Sequence, residues 1–96
     1  MNFKTLKSEL DTVFRRITDS AASGEAPSLD DVNAFVRLLQ KLIPMAEDIW
    51  ADELEDFVHM AKQLLQAVKH GKVEDCILIV DSLNDAQEYC HRTFKG

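Results

Sequence analysis

Apolar residues recur along this chain with the period of an α-helix, in four separate stretches. At about 100° per residue, Phe3, Leu6, Leu10, Val13, Phe14 and Ile17 fall within one arc roughly 120° wide. The second set is Val32, Phe35, Val36, Leu39, Leu42, Ile43, Ala46 and Trp50. Leu54, Phe57, Val58, Ala61, Leu64, Leu65 and Val68 form the third; Val73, Cys76, Ile77, Val80, Leu83 and Phe94 form the fourth. A stripe of that width buries one face of a helix against its neighbours. The pattern predicts helices over 3–22, 29–50, 53–70 and 72–95.

The residues between the stripes suit helix ends. Gly24 closes the first helix, and Ser28 with Asp31, just after Pro27, opens the second as a capping pair. Asp52 and Glu55 repeat that signature for the third, whose last turn carries Lys69 and His70 before Gly71 ends it. Pro44 is expected to kink the second helix or restart it one turn from its end. The very short joint near Trp50 and Ala51 makes the second and third helices either one bent rod or a tight hairpin, and the similar helix lengths favour the hairpin. Four helices of similar length with short links predict an all-α fold, an antiparallel up-down-up-down four-helix bundle forming a single domain over residues 1–96.

Composition narrows the function classes. Three glycines and two prolines among 96 residues provide too little turn chemistry for a many-stranded β fold. Seventeen acidic against eleven basic residues give a net charge of −6, which repels phosphate backbones and argues against nucleic acid as a partner. The longest apolar run, Cys76 to Val80, falls far short of the roughly 20 residues a membrane span needs. Residues 1–7 run straight into the first amphipathic stripe without the apolar core of a signal peptide. Cys76 and Cys90 lie on one predicted helix, about 21 Å apart along its axis. That is too far for a disulfide, so the expectation is reduced thiols in a cytoplasmic protein.

Catalytic motifs are missing: the chain has no glycine-rich phosphate loop, no G-x-S-x-G, no C-x-x-C and no H-E-x-x-H. The expectation is a protein that is not an enzyme. Two carboxylate-x-x-His pairs, Asp56 with His59 and Glu88 with His91, match the spacing used by metal centres in bundles. They do not converge. His59 lies about 160° from Ala61, on the solvent side, and the hairpin about Gly71 separates the two histidines by roughly 12 Å. No metal centre is therefore expected. The acidic run Glu47, Asp48, Asp52, Glu53, Glu55 and Asp56 reads as a solvated helix start. His91 is different, falling only about 20° from Val80 on the core-facing arc, with Asn84 and Gln87 on the same face. Such a track is either a hydrogen-bonded structural group or a ligand site.

Gly71-Lys72-Val73, followed at matching spacing by His91-Arg92-Thr93-Phe94-Lys95, resembles the last helix of the four-helix-bundle cytochromes, the soluble b-type cytochromes and cytochrome c-prime. Asn2, Thr5, Leu6 and Leu10 resemble the start of the first helix of the b-type protein. The resemblance implies the bundle fold and, as an alternative function, haem binding with His91 as axial ligand. Phe3, Trp50, Phe57 and Phe94 lie at or near one end of the bundle, and haem would sit at that end, which gathers Phe3, Trp50, Leu54, His91 and Phe94. Phe3 stands where the family has its methionine ligand, which implies iron that is five-coordinate or takes an external sixth ligand. Of a c-type attachment motif, only the cysteine beside the histidine is kept, in Gln87-Glu88-Tyr89-Cys90-His91.

The remaining signal is apolar surface on the fourth helix. Leu78 lies about 160° and Ile79 about 100° from the core arc, and Tyr89 points almost directly outward. Leu38, Met45 and Met60 flank their own stripes. The expectation is a protein that associates with protein, as a homodimer through the fourth helix, using Leu78, Ile79 and Tyr89 and needing no cofactor.

Overall fold

A computed structural model describes the backbone of residues 3–45 and 48–93, and the side chains of 4–45 and 51–88. Its elements are α1 (Phe3–Ala22), α2 (Leu29–Leu42), a 3-10 turn (Ile43–Met45), α3 (Asp48–Lys69) and α4 (Val73–Thr93). Each helix packs on the next and α1 closes the ring on α4, giving the up-down-up-down bundle.

Two of the links end in the same way. Gly24 (φ 77°) and Gly71 (φ 68°) take left-handed backbone that a side chain would strain. In the first, Glu25 N–H donates to Ser20 O and Gly24 N–H to Ala21 O; in the second, Lys72 N–H donates to Ala67 O and Gly71 N–H to Val68 O. These are Schellman motifs, which satisfy helix-end carbonyls while reversing the chain.

Across the first link Ser28 caps α2, its Oγ accepting from Asp31 N–H at 3.1 Å, with Asp30 and Asp31 in the first turn. Ser28→Ala should lower the stability by about 1 kcal/mol, seen as a shifted urea midpoint at unchanged slope. An unchanged midpoint would mean that water replaces the cap at no cost.

The link between α2 and α3 departs from expectation. Helix α2 stops at Leu42 instead of running to residue 50, and Trp50 belongs to the backbone of α3. Proline has no N–H to donate and crowds the carbonyl four residues back; Ile43 before it still keeps helical backbone (φ −52°, ψ −50°), its N–H donating to Leu39 O. Pro44 therefore does not kink a continuing helix; it ends α2 in the 3-10 turn. In the sequence the apolar period runs on through Ala46 and Trp50, which disguised the break. Asp52 and Glu55 accordingly lie inside α3 and do not open it.

The core draws Leu6, Leu10, Val13, Phe14 and Ile17 from α1, Val32, Phe35, Val36, Leu39 and Leu42 from α2, Leu54, Val58, Ala61 and Leu64 from α3, and Cys76, Val80 and Leu83 from α4. Phe14 stacks on Phe35 with ring centroids 5.4 Å apart, and Phe57 meets Phe35 edge-on at 5.8 Å and Phe14 at 6.3 Å. This three-ring cluster ties α1, α2 and α3 together near mid-helix. Phe57 was expected nearer one end of the bundle with Phe3, Trp50 and Phe94; the mid-bundle aromatic partners hold it instead. The side chains of those other three lie outside the described residues. Leu38, expected to flank its stripe, is buried at 8% exposure, because α1 covers that side of α2. Val73, expected inward, is exposed at the first position of α4.

Candidate functional site

The half of α4 that follows Gly71 presents two faces. Cys76, Val80 and Leu83 are buried, one helical turn after another. On the far side Leu78 is 65% exposed, the most exposed of the large hydrophobic residues described. Ile79 is half-buried and packs against the core, while its outer edge joins Leu78. Both stand where the helical projection put them. Tyr89, the third expected surface residue, has a side chain outside the described residues.

Leu78 and Ile79 border an open groove of about 460 Å³ between α3 and α4. Ala67 lies opposite them, Gln63 and Gln66 line the α3 side, and His70, Lys72 and Asp75 gather at the turn. The apolar surface is therefore rimmed by amides and by charges of both signs.

The polar track is only partly as expected. Asn84 and Gln87 are half-buried, and neither side chain hydrogen-bonds a described residue. Water reaches both, which removes the burial penalty that would have demanded a partner. His91 has its side chain outside the described residues, so its place in the track does too. His59 is exposed, its Nε2 lying 3.4 Å from the Gln63 amide nitrogen one turn on along α3. That is a solvated histidine. Among the described residues, no three His, Cys, Asp or Glu side chains gather as metal ligands.

Of the suggested haem end, the structure describes the side chains of Leu54 and Phe57. Leu54 is buried in the core, and Phe57 is committed to Phe14 and Phe35. Neither the α3–α4 groove nor the one between α1 and α2 is lined by Leu54 or Phe57.

Cys76 is a free, fully buried thiol. Burial pushes its pKa above the ordinary 9.0, the Asp75 carboxylate adds to the rise, and a backbone hydrogen bond opposes it. The protonated thiol behaves as a small hydrophobe. No described helix is long and apolar enough to cross a membrane.

Compared with protein families, curated proteins and solved structures, the chain matches none.

Proposed function

We propose that this is a non-enzymatic cytoplasmic bundle that works by protein association, forming a homodimer through α4. The observation that carries the reading is Leu78, 65% exposed beside Ile79 and the small Ala67. One exposed leucine is ordinary, but an aliphatic pair above a groove floored by alanine offers both a projection and a recess. A two-fold axis beside Leu78 would let each copy fill the other's groove. It would also bring Asp75 of one copy towards His70 and Lys72 of the other, so the rim is complementary to itself. The free Cys76 thiol is consistent with a reducing compartment.

Sedimentation of the unmodified chain at tens of micromolar should show a dimer. Leu78→Glu with Ile79→Lys should give a soluble monomer, because charges would be forced into a dehydrated interface. Ile79 also touches the core, so Leu78→Glu alone is the cleaner variant; it should dissociate the dimer while leaving the far-UV spectrum unchanged. A monomer from the unmodified chain would refute the homodimer. A stoichiometric Soret band on haem titration, abolished by His91→Ala, would replace this reading with the haem-binding alternative.

A further inference from the structure

The groove between α1 and α2 reverses the charge of the molecule around it. Of about 440 Å³, it is lined by Arg16, Arg37 and Lys41 against a single acid, Glu9, in a chain of net charge −6. Arg16 is engaged, its Nε 3.2 Å from Asp31 Oδ1, and that pair closes one end. Arg37 and Lys41 are exposed and form no ion pair with any described residue. They stand four residues apart on α2, about 6 Å along its axis. Between the helices the floor is apolar, from the half-buried Ala34 and the narrow exposed edges of the core residues Val13 and Leu38.

We propose that this groove docks an acidic amphipathic helix from a partner protein, laid along α2 with its carboxylates facing Arg37 and Lys41. Carboxylates four residues apart on a helix repeat at the same 6 Å or so as the two cations. The same helix would offer small aliphatic side chains to Ala34 and to the exposed edges of Val13 and Leu38, as groove-bound helices do. A free phosphate or a nucleic acid matches the cations but brings nothing to that aliphatic lining, and a polyanion meets the repulsion of the whole chain. The site shares no residue with the α4 surface, so either assignment can fail alone.

The test uses a labelled synthetic helix of about 18 residues, with a leucine stripe flanked by glutamates every fourth position, and its lysine-for-glutamate counterpart. Fluorescence anisotropy with the full chain should show saturable binding of the acidic helix, at least tenfold tighter than of the basic one. Raising salt from 0.1 to 0.5 M should weaken it severalfold, through shorter screening of exposed charges. Arg37→Glu with Lys41→Glu should abolish binding without altering the far-UV spectrum, and Glu9→Gln should tighten it two- to threefold. Equal binding of the two peptides, or undiminished binding by the charge-reversed variant, would overturn the proposal. So would competition by single-stranded oligonucleotide at equal affinity. Salt-sensitive growth of the chain beyond a dimer, lost on Arg37→Glu with Lys41→Glu, would assign the groove to a second copy docking through Asp52 and Asp56 instead.

Discussion

Phe35→Ala should cost about 3–5 kcal/mol, a large part of the roughly 5–14 kcal/mol expected for a chain of this length. Phe35 is 2% exposed and, among the described residues, is the largest side chain so completely buried. It stacks on Phe14 from α1 and receives the edge of Phe57 from α3. Truncation removes the transfer energy of the ring and leaves a cavity that neighbours on three helices cannot close together. It also removes two aromatic contacts, each contributing about 0.5–1.5 kcal/mol beyond buried area. Phe57→Ala should cost less, because Phe57 is only half-buried and water enters part of the space it vacates. Urea denaturation followed by far-UV circular dichroism measures both, and the midpoints should fall in the order unmodified, Phe57→Ala, Phe35→Ala. A loss below about 1 kcal/mol for Phe35→Ala would mean that the three rings do not form one packed unit.

That cluster shows where reading the sequence works in this chain and where it stops. A helical period states which residues face inward but not at what height along the bundle they meet. The inward sets of α1, α2 and α3 were legible for that reason, while the meeting of Phe14, Phe35 and Phe57 was not. Height depends on where each helix starts, and the α2–α3 link was placed several residues too late. The period ran on through Pro44, and the local effect of proline prevailed over the continuing pattern. Gly24, Gly71 and Ser28 were legible because each answers a single local demand: left-handed backbone in the first two, a free helix-start N–H in the third.

The candidate surfaces divide along the same line. Leu78 and Ile79 could be found by angle alone, since each needs only the phase of one helix. The basic groove needed two helices set side by side. Arg16 and Arg37 are 21 residues apart in the chain, and only the antiparallel pairing of α1 with α2 brings them to one recess. A search for charge runs passes over it, because Arg37 and Lys41 stand among uncharged neighbours, Val36, Leu38, Gln40 and Leu42. Leu38 was misread for a related reason: on α2 alone it flanks the stripe, yet α1 packs closely enough to cover it.

Cys76 should be protected from alkylation by at least a thousandfold relative to an unfolded cysteine, and that protection should be lost cooperatively in denaturant. Its side chain is completely buried between neighbouring core residues of α4 and the rest of the bundle. Iodoacetamide can reach it only when α4 leaves its place, so the observed rate is the intrinsic rate multiplied by the open fraction. An opening free energy of about 4 kcal/mol, within the expected global stability, gives the thousandfold. Burial adds to the effect, because the attacking species is the thiolate and the folded site holds the thiol protonated. The same shift sets a pH dependence with a definite sign. Well below the ordinary thiol value of 9.0, both the folded and unfolded chains keep the proton and Cys76 contributes no slope. Above it the unfolded chain releases the proton while the folded chain retains it, so unfolding gains up to about 1.4 kcal/mol per pH unit until the raised folded-state value is reached. In a Cys90→Ser background, which isolates the one thiol, stability should therefore fall more steeply above pH 9 than in the Cys76→Ala counterpart. Parallel pH profiles for the two chains, or labelling of Cys76 within tenfold of the unfolded rate, would place α4 outside the cooperative core.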